Sequence, residues 1–209
     1  MIKLTKPLQT LILGIFVIYA LTPVYLVILA AMRSEADLFS GPLTMPWPPN
    51  WQNFSRVWGD SGFSVFFMNS MKISASVTIL VVLCAPPAGY AFAKMKFRGR
   101  EPMFALFLAG LVVPAPSVIV ALYGNLQTLG MIDSHIGVIL PQAALLLPFS
   151  IFLMRTVMQD VPDELIEAST MDGATPFETF IRVVLPVVRP GIMSLILIVF
   201  LFSWQEYLL

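Results

Sequence analysis

The chain has 209 residues, of which 58% are hydrophobic and 11% are charged, and its mean hydropathy is +0.86. A soluble domain is about a quarter charged, so this composition excludes an ordinary soluble protein and indicates one that resides in a lipid bilayer. The 12 Lys and Arg residues balance the 12 Asp and Glu residues, so the net charge does not indicate binding to nucleic acid or to an anionic surface.

Five apolar intervals follow one another along the chain, and roughly 20 such residues are needed to cross the hydrocarbon. They predict an all-α, polytopic membrane helical bundle in a single domain over 1–209, with spans at about 8–32, 66–93, 103–125, 136–154 and 190–209. The first interval follows Lys3 and Lys6 as a signal peptide would. Its 25 uncharged residues exceed the roughly 7–15 of a signal-peptide apolar region, so we expect an uncleaved span.

The positions of Lys and Arg predict the orientation, because positively charged segments are retained in the cytoplasm. With a cytoplasmic N-terminus, the outer segments hold only Arg33 and Arg56, and Lys72 lies at the outer end of the second span. The cytoplasmic segments then hold Lys3, Lys6, Lys94, Lys96, Arg98, Arg100, Arg155, Arg182 and Arg189. The polar segment 155–189 is therefore predicted to lie in the cytoplasm.

The sequence shows no pattern of a catalytic or metal site. Cys84 is the single cysteine and lies inside the second span, and His135 is the single histidine, in a short outer loop beside Asp133. A membrane enzyme would need a nucleophile with a base, or a metal cluster, so we expect a protein that is not an enzyme. The chain has no GxxxxGK[ST] loop, so any ATP chemistry would belong to a partner and this chain would hold no cofactor.

The stretch ELIEASTMDGATPFETFIRVVLP, residues 164–186, carries the start and stop signals of short helices. Asp160 predicts the start of a first helix, and Gly173 predicts its left-handed closure. Thr175 as N-cap, with Glu178 three residues later, predicts a capping box for a second helix. We therefore expect two short helices that meet at the glycine.

The second of these helices carries an apolar stripe at helical spacing, formed by Phe177, Phe180, Ile181 and Val184. The segment 155–189 is also acidic. Against three basic residues it holds Asp160, Asp163, Glu164, Glu167, Asp172 and Glu178. A connector that lies on the bilayer is usually rich in Lys and Arg on its polar face, so the acidic character favours docking of the stripe onto a protein.

Seven spaced residues in this segment closely resemble the EAA motif of the membrane-spanning permease subunits of ABC importers. The matching residues are Glu167, Ala168, Ser169, Gly173, Val183, Leu185 and Pro186. The chain departs from the family pattern at Ser169, where the family has Ala, and at Val183, where it has Ile.

Four further stretches are similar to the carbohydrate-uptake branch of these permeases, specifically the maltose-type second permease subunit. They are NSMKISASVTI at 69–79, AGYAFAKMKFRGR at 88–100, LGMIDSHIGVILP at 129–141 and SWQEYLL at 203–209. The resemblance implies one half of a heterodimeric pore in the bacterial plasma (inner) membrane. The implied partners are a second permease subunit, two cytoplasmic ATPase subunits, which would bind ATP and magnesium, and an extracytoplasmic solute-binding protein.

The same resemblance implies six spans, so we expect the fifth to be incomplete at Leu209 and a sixth to be missing from this sequence. A permease for another solute, such as a polyamine or glycerol phosphate, is the alternative. A secondary transporter is disfavoured, because such proteins place acidic residues or histidines near the midplane and the first four predicted spans contain none.

The resemblance also implies that the helices of the 155–189 loop dock into a cleft of the ATPase subunit. The residues expected to serve this coupling are Glu167, Ala168, Ser169, Asp172, Gly173, Phe177, Phe180, Leu185 and Pro186. Gly173 is expected to set the angle between the two helices. Leu185 and Pro186 are expected to end the second helix and turn the chain into the last span.

Polar side chains in spans usually face a cavity or another helix, which makes several of them candidates for the solute pathway. They are Asn69, Lys72, Asn125, Gln127, Gln142, Gln205 and Glu206. A side chain that extends to the outer interface also explains Lys72. Prolines interrupt helix hydrogen bonding in the spans, either to permit bending or as packing kinks, at positions 86, 87, 114, 116, 141 and 148.

The outer segment 33–62 combines Trp47, Trp51 and Trp58 with prolines at 42, 46, 48 and 49. Aromatic residues in rigid turns suit a dock for the binding protein. They also suit an aromatic belt at the membrane interface, and both interpretations stay open.

Overall fold

All regular secondary structure in the computed structural model is helical, and no β-strand occurs in the part that it describes, residues 6–34, 37 and 45–208. This confirms the predicted all-α class. Three residues named above, Lys3, Pro42 and Leu209, lie outside the described residues. The chain forms two compact units, Met1–Phe67 and Met68–Leu209.

The first unit contains α1 (Lys6–Ala31), α2 (Gln52–Gly59) and the start of α3 (Phe63–Lys94). Asn53 closes α1, because its side-chain amide donates to the backbone carbonyls of Ala31 at 2.9 Å and Arg33 at 2.8 Å. Carbonyls at a helix C-terminus have no partner within the helix, so this contact satisfies that of Ala31, together with that of Arg33 just beyond the helix end. The three outer tryptophans are exposed, and both interpretations of them stay predictions.

The second unit continues with seven α-helices and one π-helical turn within the described residues. They are α4 (Arg100–Gly110), α5 (Ala115–Thr128), α6 (His135–Gln159), α7 (Asp163–Met171), α8 (Pro176–Thr179), the π-helical turn Phe180–Val184, α9 (Leu185–Val187) and α10 (Arg189–Trp204). The central element is α6, which contacts both α4 and α10. Its buried Met154 and Met158 form the core together with Val77, Val81, Leu195 and Val199.

Helices α3 and α6 approach each other closely at Gly89. A Cβ atom at this position would lie 2.7 Å from Cβ of Met154 and 2.9 Å from the backbone nitrogen of Arg155. Small residues permit such close packing of membrane helices. The C-terminal end of α6 is therefore held against α3, and the segment that follows α6 starts from a fixed position.

The number of spans differs from the five that were predicted. Among the described residues, α1, α3 and α6 are long and apolar enough to cross a bilayer, and a fourth span results if Pro176–Val187 and Arg189–Trp204, bent by 80°, count as one. The predicted span 103–125 is two helices, because the backbone is extended at Pro114 (ψ 129°) and proline disfavours helix in the residue before it. Helices α3 and α6, by contrast, continue through Pro86, Pro87, Pro141 and Pro148.

Candidate functional site

The segment 163–187, which we call the elbow, leaves the C-terminal end of α6 and leads into α10. The sequence predicted that its first helix starts at Asp160, and this prediction is wrong. Asp160 instead caps the C-terminus of α6 with helical φ and ψ angles of −75° and −10°. Pro162 is in an extended conformation and precedes α7, so the helix begins at Asp163.

The turn of the elbow lies at Gly173, as predicted. Its φ angle is +82°, a left-handed conformation that costs a side chain-bearing residue free energy but not glycine. The N–H of Gly173 donates to the carbonyl of Thr170, and that of Ala174 donates to the carbonyl of Ser169, each at 3.0 Å. These bonds end α7 and fix the direction in which the chain leaves it.

The second helix of the elbow starts with the predicted capping box. Thr175 Oγ1 accepts from the backbone N–H of Glu178 at 3.3 Å, and Glu178 Oε2 accepts from the backbone N–H of Thr175 at 2.9 Å. Two hydrogen bonds lower the pKa of the Glu178 carboxyl: the larger effect comes from the Thr175 backbone N–H and the smaller from the Thr175 hydroxyl. The charged form therefore predominates at neutral pH, and the capping box persists there.

The apolar stripe of the second helix does not face one partner, which corrects the prediction. Phe180 is only 6% exposed and its ring centroid lies 5.2 Å from that of Tyr90 on α3; Val184 is buried as well. Phe177 is 71% exposed and Ile181 42%. The π-helical turn has more residues per turn than an α-helix, so Phe180 and Val184 point into the chain while Phe177 stays outside.

Three residues of the EAA-like motif have structural surroundings that the sequence did not predict. Ser169 is buried, and its hydroxyl lies 2.8 Å from that of Thr179, which joins α7 to α8. Leu185 and Pro186 do not end the helix, since it continues to Val187. The N–H of Leu185 reaches back five residues to the carbonyl of Phe180, and the chain bends only at Val188, before α10.

Lys94, at the end of α3, anchors the base of the elbow. Its ammonium group lies 2.6 Å from Asp163 Oδ1, donates to the carbonyl of Val161 at 2.6 Å and reaches that of Gln159 at 3.4 Å. The hydrogen bond from Lys94 lowers the pKa of the Asp163 carboxyl. One cation therefore ties α3 to the end of α6 and to the start of α7. No local sequence pattern links Lys94 to Asp163, which lies 69 positions away.

A second ion pair connects α4 with α6. Arg155 Nη2 lies 2.8 Å and 3.0 Å from the two carboxylate oxygens of Glu101, and its guanidinium carbon is 3.9 Å from the ring centroid of Phe104. The Arg155 hydrogen bond lowers the pKa of Glu101. The helix from which the elbow departs is thus fixed to α4 by charge as well as by packing.

The solvent-exposed surface of the elbow combines two large apolar side chains with acidic ones. Met171 is 88% exposed and Phe177 is 71% exposed. Glu164, Glu167 and Asp172 are exposed as well. Exposed apolar groups surrounded by polar residues are typical of protein interfaces. Met171 lies off the predicted stripe and was not among the predicted coupling residues.

The predicted pathway residues are found in different surroundings. Gln142 is buried and its Oε1 accepts from the Ser203 hydroxyl at 2.6 Å, which joins α6 to α10. Glu206 is half-buried and accepts from the backbone N–H groups of Tyr207 and Leu208. Asn69 lines a cavity of about 390 Å³. The exposed members are Lys72, Asn125, Gln127 and Gln205.

Metal chemistry has no support in the described part of the chain, where no group of three or more His, Cys, Asp or Glu side chains could hold a metal ion. The elbow is a fixed turn. It presents an exposed surface on a segment that is capped and hydrogen-bonded, and its base is ion-paired to Lys94 of α3.

Comparison with known proteins identifies relatives over nearly the whole chain. A family model described as "Binding-protein-dependent transport system inner membrane component" matches residues 85–209, more than half of the sequence. The diacetylchitobiose uptake system permease protein of Streptomyces coelicolor is 31% identical over 92% of this chain and 64% of its own length. The trehalose transport system permease protein of Mycobacterium tuberculosis is 29% identical over 97% of this chain and 72% of its own length. The chain thus spans about two thirds of the length of these relatives.

The fold is also similar to that of a solved structure. The crystal structure of a bacterial ABC transporter involved in the import of the acidic polysaccharide alginate contains a chain that superposes with a TM-score of 0.80. The alignment covers 95% of this chain and 70% of the other, with 23% sequence identity. This likeness supports the helical architecture described above.

Proposed function

The chain belongs to the family of inner membrane components of binding-protein-dependent transport systems, and on this basis we propose that it is a permease subunit of an ABC importer for a carbohydrate. Its role is transport rather than catalysis, and ATP hydrolysis takes place on partner subunits. The sugar-uptake relatives from two organisms support the carbohydrate class.

The elbow is the part of the chain that contacts the ATPase subunit. The observation that carries this assignment is the exposed pair Met171 and Phe177 within an acidic surface, on a segment whose other face is buried. An apolar centre with a polar rim is the usual anatomy of a protein interface. Of the residues predicted for coupling, Glu167, Ala168, Asp172, Gly173 and Phe177 are exposed and form this surface.

The buried members of the predicted coupling set, Ser169 and Phe180, act from inside. Phe180 transmits movement of the elbow to α3 through Tyr90, and Lys94 ties the start of α7 to the same helix. Packed side chains and ion pairs shift as a unit because protein interiors are close-packed. Closure of the ATPase subunits on ATP would therefore displace α3 and α6 together.

The proposed assembly places the N-terminus and the elbow in the cytoplasm, following the distribution of Lys and Arg. A second permease subunit completes the pore, two ATPase subunits bind from the cytoplasm, and a solute-binding protein delivers the sugar from outside.

The test compares Phe177→Ala with Phe66→Ala in the complete importer. Both phenylalanines are strongly exposed, at 71% and 67%, but Phe66 belongs to the other compact unit. Loss of an interface hot spot costs at least about 2 kcal/mol. We therefore expect Phe177→Ala to weaken ATPase binding by about thirtyfold, whereas Phe66→Ala leaves it unchanged.

The measurements are ATPase affinity for the permease pair in nanodiscs and sugar-stimulated ATP hydrolysis in proteoliposomes. Wild-type ATPase affinity in Phe177→Ala, with the elbow still folded, would remove the elbow from the interface. An importer whose hydrolysis responds to no sugar offered with its binding protein would refute the carbohydrate assignment.

A further inference from the structure

A cavity of about 390 Å³ lies at the end of α6 opposite the elbow, between α3, α5 and the loop that precedes α6. Since α6 has 25 residues, the two ends are about 37 Å apart. The volume falls in the usual range for small-molecule sites, roughly 300–1,000 Å³. In the orientation proposed above, this end faces the outside.

The loop that forms one wall of the cavity is held rigidly. The Ser134 hydroxyl donates to the carbonyl of Met131 at 2.7 Å and accepts from the backbone N–H of Gly137 at 3.1 Å. The loop lies so close to the first turn of α6 that a Cβ atom on Gly137 would lie 2.1 Å from the Met131 carbonyl oxygen. A wall fixed in advance lowers the entropy cost of binding a ligand.

Three polar side chains line the cavity without a hydrogen-bond or ion-pair partner in the described part of the chain, Asn69, Asp133 and His135. Together they offer an amide, a carboxylate and an imidazole, which supply both donors and acceptors. Asp133 has a φ angle of +58°, a conformation uncommon outside glycine. Tyr123 of α5, 58% exposed, adds an aromatic ring to the lining.

These groups select a chemical class. A hydroxyl group both donates and accepts, so it pairs with carboxylate and amide alike, and an aromatic ring covers the apolar face of a sugar ring. None of the described residues that line the cavity is Lys or Arg, so the lining holds no Lys or Arg charge to offset that of Asp133. An anionic ligand would be repelled.

We propose that this cavity is a binding site for a neutral, hydroxyl-rich solute at the outer mouth of the importer. Asp133, Asn69 and His135 hydrogen-bond its hydroxyl groups, and Tyr123 packs against its ring. The inference rests on the proposed orientation and on the carbohydrate class, and it adds that the transported sugar is uncharged.

The test measures ligand binding to the complete membrane complex in nanodiscs, without ATP and without the binding protein. Saturation-transfer NMR with millimolar trehalose as the neutral probe and glycerol 3-phosphate as the anionic probe reports both classes. Asp133→Asn removes the charge but keeps the shape, and asparagine tolerates a positive φ angle. Asp60→Asn is the matched control, since Asp60 is an exposed outer aspartate that is not among the lining residues.

We expect wild-type complex to bind trehalose and not glycerol 3-phosphate. Asp133→Asn should weaken trehalose binding about fivefold, the loss of a charge-assisted hydrogen bond relative to a neutral one, and should admit glycerol 3-phosphate. Tyr123→Leu should weaken trehalose binding about tenfold, and Asp60→Asn should change neither ligand.

Three results would overturn the inference: no trehalose signal in the wild type, equal effects of the two aspartate variants, or equal binding of the anionic probe. Weaker affinity for the binding protein in Asp133→Asn, with trehalose binding unchanged, would assign the cavity to protein docking instead. These failures are distinguishable from failure of the proposed function, because sugar-stimulated ATP hydrolysis by the wild-type importer tests that function independently.

Discussion

Replacing Gly173 by alanine isolates the conformational role of the elbow turn. No heavy atom lies within 4 Å of a Cβ atom built at this position, so the substitution creates no clash. The φ angle of +82° nevertheless costs an alanine about 1–2 kcal/mol. If the backbone instead rotates to negative φ, the two hydrogen bonds that end α7 are lost, at about 1 kcal/mol each.

Both routes thus cost about 1–2 kcal/mol, and they redirect the elbow relative to α6. We expect sugar-stimulated ATP hydrolysis in proteoliposomes to fall about 5- to 30-fold, the ratio that corresponds to this free energy. For a chain of this length, the thermal unfolding midpoint should fall by about 2–8 °C.

Gly99 supplies the matched control for this substitution. It precedes α4 with a φ angle of +87°, and it also has no atom within 4 Å of an added Cβ. Gly99→Ala should therefore lower the unfolding midpoint as much as Gly173→Ala does, while coupling of ATP hydrolysis to sugar stays at the wild-type level. Equal loss of coupling in the two variants would refute the reasoning, because the effect would then follow stability rather than the direction of the elbow.

Gly89→Ala should destabilise the chain by about 1–3 kcal/mol, because its Cβ would lie 2.7 Å from that of Met154. Gly124 has open space around it, so Gly124→Ala should leave the stability unchanged. Equal unfolding midpoints of the two variants in detergent would contradict this prediction. Asp163→Asn should lower the unfolding midpoint at pH 7, because Lys94 holds the pKa of Asp163 below its ordinary value of 3.8. A carboxyl whose pKa is lower in the folded than in the unfolded state stabilises the folded state at pH values above its unfolded-state pKa. This stabilisation is lost as the pH falls through the folded-state pKa. The wild-type and Asp163→Asn midpoints, measured from pH 7 to pH 3, should therefore converge below pH 3.8; a constant difference would show that the ion pair contributes nothing.

The features of the elbow that sequence analysis predicted correctly are those formed between near neighbours. The capping box joins Thr175 to Glu178, and the left-handed closure at Gly173 depends on bonds to residues three and five positions earlier. Such local structures depend on residue type and on spacing along the chain, so the sequence alone predicts them. The helix start predicted at Asp160 was wrong, because an aspartate that can precede one helix can equally follow the end of another.

The interactions that sequence analysis missed connect residues far apart in the chain. Lys94 meets Asp163 across 69 positions, and Arg155 meets Glu101 across 54. A charged residue near a span predicts orientation but does not reveal its partner. The break at Pro114 shows a similar limit, because charge-free length predicts a span without excluding an interruption inside it.

The sequence by itself determined the membrane class, the helical architecture, the carbohydrate-permease resemblance and the two-helix punctuation of the elbow, since composition, apolar run length and capping act over a few residues. Only the tertiary structure decided which side of the elbow faces outward. Phe177 and Phe180 both belong to the predicted stripe, yet the π-helical turn and the ring of Tyr90 bury one and leave the other exposed. That choice depends on where α3 passes, because an apolar side chain is buried only where another element covers it.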